Sequence, residues 1–460
     1  MDKSNIDDLI LEQKKFYNSK ITLSIAFRKS ILLKLKKNIK KYEKEILLAL
    51  YLDLRKSEFE AYSNEVGLVY EEINYFLKNL DKLAKIKKVK KHKATLRKKG
   101  YIINEPLGSV LIISSYNYPF QLSMIPLVGA IAAGNTAIVK PSEKSINTAR
   151  VLDKIIKETF KEEYVSLQIG DSELGKKLVS LDLNHIFFTG SKKVGTSVLK
   201  SAASNLTPVT LELGGKSPAI VTSNADIKKA AKEIIFGKFL NAGQTCVAPD
   251  YIAVEEKSYN LLLEELKKQI YNFYGVKANE SSDYGRIIDE KEFERLADII
   301  DQDKDNIVYG GNYIKENLYI EPTLIKGDFK LNSMDSEIFG PILPIVIYKD
   351  INKLIYKINS MDSPLSLYVF DKDIVYAKNI IRMLKFGGGT INGTILHMTS
   401  PYMPFGGVGP SGMGSYHGRY SFKTFSHKKA ILINNDKIKN KFLYPPHGKA
   451  KKWILSKILK

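Results

Sequence analysis

Apolar residues recur at one spacing through the first eighty positions and at another beyond residue 100. In FRKSILLKLKKNIKKYEKEILLALYLDL, Ile31, Leu32, Leu35, Ile39, Ile46 and Leu50 fall on one helical face with lysines between them. That predicts helices over residues 5–55, and a second helical run extends from about Glu58 to Leu83. From Tyr101 the apolar residues gather into short continuous runs. EPLGSVLIISSYNYPF carries Val110 to Ile113 and then small polar residues, as a buried parallel strand opening into a loop does. SMIPLVGAIAAG follows as a helix ending at Gly134, NTAIVKPSE as a strand and loop, and INTARVLDKIIKETF as a helix. EYVSLQIG, SELGKKLVS and LNHIFFTGS continue as strand, helix and strand. This alternation predicts a doubly wound parallel sheet.

A second alternating block starts near Thr207, with TPVTLELGG, SPAIVTS, YIAVEE, GPILPIVIY, LSLYVF and GGGTING as strands. The chain of 460 residues has room for two or three domains. It holds no internal repeat, and no apolar run reaches the roughly 18 residues that span a membrane.

The net charge of +21 raises the question of nucleic acid. Only eight of the 71 basic residues are arginines, the type that reads bases and phosphates bidentately, so specific nucleic-acid binding is not expected. KLAKIKKVKKHKATLRKK, residues 82–99, fits a solvated arm or edge strand better than a polyanion strip. The tail KAKKWILSKILK places Trp453, Ile454, Ile458 and Leu459 at helical spacing. It fits either a helix packed on protein or an interfacial contact. One cysteine excludes an intrachain disulfide, and MDKSNIDDLI shows no signal peptide, so a cytoplasmic location is expected.

The single cysteine, Cys246, sits in NAGQTCVAPD after a helical pattern and a Gly-Gln-Thr turn. It fits a buried structural thiol or a catalytic nucleophile, and its neighbours do not decide between them. Other chemistry collects at strand ends, where open α/β sheets place ligands. Glu212 ends TLELGGK and suits either a structural carboxylate or a general base raised by burial. Asn117 in SSYNYP is a side-chain amide suited to an oxyanion, or part of a turn. Lys140 and Glu143 end AIVKPSE as a solvated pair or a ribose grip. Gly190, Ser191 and Gly195 follow IFFTG, where a helix N-terminus could meet a phosphate. No histidine has metal-ligand spacing; His185, His397, His417 and His427 are expected to pack or hydrogen-bond.

Taken together and in order, VLIISSYNYP, AIVKPSE, IFFTGS, LELGGK, NAGQTC and EIFGP resemble the aldehyde dehydrogenase superfamily. APDY, SGMGSYHGRYSFKTFSH and the late YPP are similar to its class 3 branch of fatty and broad-range enzymes. The resemblance spans roughly Ile6 to Pro446. It implies an α/β fold with a Rossmann-like coenzyme domain, an α/β catalytic domain and a small β bridging domain. In this chain these map to 1–81 with 100–207, to 208–394, and to 82–99 with 395–430; residues 431–460 form a C-terminal tail.

The resemblance also implies roles. Cys246 matches the nucleophile, Glu212 the base that activates water, and Asn117, with the Cys246 N–H, the oxyanion donor. Lys140 and Glu143 match contacts to the adenosine ribose, Gly190, Ser191 and Gly195 the pyrophosphate turn, and Glu337 and Phe339 the nicotinamide ribose and ring. Phe405 matches a substrate-tunnel aromatic. Tyr116 stands where many relatives carry Trp, so an altered substrate wall is expected. The implied reaction is NAD(P)-dependent oxidation of medium- or long-chain aliphatic or aromatic aldehydes to acids through a Cys246 thioester. An acyl-CoA-forming enzyme is the alternative, as is, more remotely, a polyanion- or membrane-binding scaffold. A carboxylate at Glu143 favours NAD, with NADP possible if lysines nearby offset it. A homodimer without a metal is expected, touching membrane at most peripherally through the tail.

Overall fold

The computed structural model describes residues 3–90, 98–434 and 444–459. Six strands form one sheet in the order Gly412–Met413, Val209–Glu212, His185–Thr189, Ser109–Ile113, Thr136–Lys140, Val165–Leu167. All neighbours are parallel except Gly412–Met413, which runs antiparallel along the edge. The runs TAIVK and HIFFT are buried at every position, because helices cover both faces of the sheet.

One of those covers is Pro119–Ala133, a helix with all fifteen residues buried. Proline at its start supplies a preset φ, and Gly134 ends it in the left-handed region at φ 100°. The amino-terminal helices Ile25–Lys41, Glu43–Leu54 and Gly67–Ala84 put Leu32, Leu35, Ile39, Ile46 and Leu50 into the same core. Amphipathic spacing in the first eighty residues thus becomes a helical layer over the sheet.

Seven strands form a second sheet, ordered Ile307–Tyr309, Thr323–Gly327, Ile342–Tyr348, Tyr251–Glu255, Pro218–Val221, Ser366–Phe370, Gly388–Ile391. It is parallel apart from Ile307–Tyr309. Its core is separate from that of the first sheet.

Two boundaries differ from those expected. The run TPVTLELGG, grouped above with the second block, closes the first sheet: Thr189 pairs with Glu212. Sequence alternation cannot show which sheet a strand joins, because that depends on the register of its partner. Residues 395–430 were expected to belong to the bridging unit. Instead Ile395, Phe405, Tyr416, Phe422 and Phe425 are buried in the first core, and Gly412–Met413 borders the first sheet. Among the described residues, Ser426–Ile433 pairs with Lys99–Pro106, whose other neighbour is Lys87–Lys88, in an antiparallel three-stranded sheet. Lys87 and Lys88 are its exposed outer strand, the edge position read from the lysine run; residues 91–97 of that run lie outside the described residues.

Lys449–Leu459 is a helix on which Trp453 and Ile454 are exposed; the side chains of Ile458 and Leu459 lie outside the described residues. No described helix is long and apolar enough to cross a membrane.

Candidate active site

Parallel pairing brings the carboxyl ends of four strands to one edge. Ile113 is level with Lys140 on one side and Phe188 on the other, and Thr189 is level with Glu212. The loops that leave this edge carry SSYNYP, KPSE, GSKK and LGGK, so the first sheet alone collects most of the predicted residues.

The loop that carries Cys246 lies between two strands of the seven-stranded sheet. After the helix Ile227–Phe239, Asn241, Ala242 and Gly243 take three consecutive left-handed conformations, with φ of 52°, 50° and 76°. Gly243 is required there twice over. Its φ disfavours a side chain, and a Cβ would stand 2.3 Å from the carbonyl oxygen of Gly340 in EIFGP. The loop is then fixed from several sides. Gln244 donates to the carbonyls of Asn241 and Arg286 at 3.1 and 2.8 Å and accepts the N–H of Ile288 at 3.0 Å. Tyr118 Oη lies 2.7 Å from Thr245 Oγ1, and Tyr368 donates to the carbonyl of Val247. Asn117 Nδ2 donates to the Gln244 carbonyl at 3.0 Å. Cys246, half-buried, thus projects from a backbone held on both sides.

Burial pushes the Cys246 thiol up to about 12, with Glu337 and Glu212 adding to the rise; the N–H groups of Cys246 and Val247 act the other way. Glu212 is buried, and neither of its carboxylate oxygens meets a hydrogen-bond donor among the described residues. Burial holds its carboxyl well above the usual carboxylate range. The hydroxyl of Tyr416 is also buried and without a partner there, and it feels both Glu212 and Cys246 electrostatically. A structural carboxylate would be hydrogen-bonded, so Glu212 has the surroundings of a group kept for a substrate or water.

Glu337 seats its carboxylate against Gly214, where a Cβ would fall 2.0 Å from Oε2. Burial raises this carboxyl to about 8, with Asp250 adding to it and the Gly215 N–H opposing. Phe339 takes a φ of 50° and meets the Tyr116 ring edge-on, centroids 6.0 Å apart. Tyr116 is therefore beside the EIFGP loop, under the ammonium of Lys144 at 5.0 Å, whereas Phe405 packs elsewhere, against Tyr416 and His417 at 5.6 Å each.

Lys140 is buried and its Nζ donates to Glu143 Oε2 at 2.8 Å. Partial burial alone would raise the Glu143 carboxyl, but that hydrogen bond leaves it below the ordinary range. Ser191 caps the helix Lys192–Ala203 by accepting the Val194 N–H. Gly190 opens the turn, but Gly195 does not close it: it lies inside the first helical turn, packed so closely that a Cβ would meet Leu213 at 2.7 Å. Its smallness brings the helix onto the sheet. An exposed helix N-terminus and, at the same sheet edge, a buried lysine paired with a half-exposed glutamate fit the diphosphate and ribose of a dinucleotide.

Three histidines contact neighbouring side chains: His185 Nε2 lies 3.0 Å from Thr210 Oγ1, His397 contacts Ser366 and Thr390, and the His417 ring lies tilted against that of Tyr416.

Two buried charge clusters escape a reading of the sequence. Lys216 donates to Asp250 at 2.6 Å and to the carbonyls of Ser333 and Ser336, while Asp250 accepts the Ile338 N–H at 3.1 Å. The motifs LELGGK, APDY and EIFGP are thereby tied together; APDY was the signal, since Asp250 follows the nucleophile closely. The other pair, Lys56 with Glu65, offers no signal in the sequence.

This fold and this constellation define a class of dehydrogenase. The chain belongs to the aldehyde dehydrogenase family, whose model matches residues 1–431. It is 46% identical over 452 residues to 4,4'-diaponeurosporen-aldehyde dehydrogenase of Staphylococcus aureus, covering 98% of each chain. It is 43% identical to aldehyde dehydrogenase family 3 member A2 of Mus musculus, over 96% of this chain and 92% of that one. The dimeric, NADP-preferring aldehyde dehydrogenase of Mus musculus is 42% identical, over 96% and 98%. A solved structure, the substrate-bound state of Staphylococcus aureus AldH, superposes with a TM-score of 0.97 at 46% identity and 99% coverage of both chains. The protein is a class 3-type enzyme that uses NAD(P) to oxidise aldehydes to carboxylic acids.

Proposed function

We propose that this enzyme oxidises medium- or long-chain aliphatic or aromatic aldehydes, with Cys246 as nucleophile and Glu212 as the base for hydrolysis. The observation that carries this reading is Glu212, buried without a hydrogen-bond donor among the described residues and acting electrostatically on Cys246. The Cys246 thiolate attacks the aldehyde carbon, forming a C–S bond and moving the carbonyl pair onto oxygen. Asn117 Nδ2 has two hydrogens; one goes to Gln244, and the other, with the Cys246 N–H, holds the oxyanion. When bound, the nicotinamide coenzyme supplies the hydride acceptor. Loss of hydride restores the carbonyl as a thioester on Cys246. Glu212 then takes a proton from water, the hydroxide adds to the thioester, and the C–S bond breaks to release the acid.

In this reading the six-stranded sheet forms the coenzyme domain and the seven-stranded sheet the catalytic domain. Lys140, Glu143, Gly190, Ser191, Glu337 and Phe339 hold the coenzyme, with Gly195 shaping the turn. NAD is preferred and NADP accepted, because Glu143 repels a 2′-phosphate while Lys140 attracts it. Phe405 and Tyr116 bound the substrate passage. The enzyme works as a homodimer in the cytoplasm, and its basic tail helix touches membranes at most peripherally.

Coenzyme reduction by purified protein with hexanal, decanal and benzaldehyde tests the reaction and its range. The aldehyde named for the Staphylococcus aureus relative joins that panel. Turnover with the panel is expected; failure with all of them removes the substrate assignment. Product analysis with and without coenzyme A separates acid formation from thioester transfer.

A further inference from the structure

The oxyanion donor assigned above lies between two backbone anchors, and both lead to one buried ion pair. Lys56 Nζ donates to the Asn117 carbonyl at 2.7 Å and lies 3.9 Å above the centre of the Tyr118 ring. It is paired with Glu65, and both side chains are fully buried. The other oxygen of Glu65 accepts the N–H groups of Phe120 and Gln121 at 2.9 and 3.1 Å. Those are two of the unsatisfied donors at the start of the buried helix Pro119–Ala133. The pair therefore grips Asn117 on its own carbonyl and again three and four residues on.

The same segment reaches the nucleophile loop. The carboxyl of Glu60, also buried, feels the backbone N–H of Asn241 electrostatically, and the side chain of Asn241 donates to the Asn117 carbonyl at 2.8 Å. A single wide turn at Tyr62–Val66, of π-helical form, interrupts the helical run and carries Glu65. Such interruptions often mark functional positions, and this one carries the carboxylate that caps the next helix.

A buried ion pair is a costly way to stabilise a fold, because apolar residues of the same volume generally serve as well. It is a good way to fix one carbonyl and two N–H groups in a single arrangement. We propose that Lys56 and Glu65 are positioning residues for oxyanion stabilisation, acting through Asn117 and touching neither substrate nor coenzyme. The proposal rests on the oxyanion role of Asn117.

The test is a double-mutant cycle on the full-length enzyme with decanal and NAD, reading the rate of the first coenzyme-reduction burst. Asn117→Ala checks the underlying role: an unchanged burst rate removes the oxyanion reading itself. If Asn117→Ala slows the burst, Lys56→Met alone is expected to slow it about tenfold or more, with the dissociation constant for NAD within about twofold of wild type. Lys56→Met added to Asn117→Ala is expected to slow it no further. Full multiplication of the two effects, or an unchanged burst in Lys56→Met, overturns the proposal. Should Lys56→Met fail to bind NAD, Glu65→Gln carries the same cycle, since it keeps the shape and removes the charge. Lys56→Arg, which retains the positive charge and several donors, is expected to recover most of the lost rate; no recovery beyond Lys56→Met overturns the proposal.

Discussion

The side-chain amide of Asn117 donates to the carbonyl oxygen of Gln244 at 3.0 Å, two residues ahead of Cys246. This bond joins a loop of the six-stranded sheet to the Cys246 loop that leads into the seven-stranded one. It also orients the remaining amide hydrogen. Asn117→Asp keeps the shape, removes both donors and sets a carboxylate against a carbonyl. The burst rate should fall about 10²-fold or more, while NAD binding stays within about twofold. Stopped-flow coenzyme reduction measures the first quantity and fluorescence titration the second.

Gly243 and Gly340 are in contact across the same region. Gly243→Ala introduces a side chain at φ 76° and drives its Cβ into the Gly340 carbonyl. A loss of about 1–3 kcal/mol of stability is expected from the strained conformation. Because the EIFGP loop must yield, kcat should fall together with the apparent melting temperature. A variant that is destabilised but fully active would show that the contact serves the fold alone.

Much of this was legible beforehand, and the reasons are physical. Continuous apolar runs such as HIFFT and TAIVK report burial on both faces, so parallel strands and their carboxyl-end loops could be placed from the chain alone. Cys246, Glu212 and Asn117 were each open to a bland reading, and the motif series gave them one context. Other features depend on contacts between distant segments. Val209–Glu212 looked like the first strand of the second block because alternation carries no sheet address. Gly195 looked like part of a turn, since a glycine needed for close packing has the same letter as one needed for a positive φ. Lys56 and Glu65 carried no sequence signal, because charge spacing on a helix does not reveal what folds over it.

The pH dependence follows from two raised groups. In the proposed mechanism Cys246 and Glu212 react in their deprotonated forms, and burial raises both above their ordinary values. Activity is therefore absent at low pH and gained as pH rises. With decanal and NAD, kcat should climb steadily from pH 6 to pH 9. A profile that is flat or falls across that interval contradicts the electrostatics described for the site.

Coenzyme choice should respond to Glu143. Its carboxylate is about half exposed and paired with Lys140, so the effect is modest. Glu143→Gln removes the like charge near the ribose and frees Lys140 for a 2′-phosphate. The ratio of kcat/KM for NADP to that for NAD should rise about three- to tenfold. An unchanged ratio places the discriminating contact elsewhere.

The central claim is that Glu212 hydrolyses a thioester held by Cys246, and a mass spectrum tests it most directly. Glu212→Gln, incubated with decanal and NAD and then digested, should yield the Cys246 peptide heavier by one decanoyl group, after a single burst of coenzyme reduction. An unmodified Cys246 peptide from a variant that continues to turn over would contradict the account.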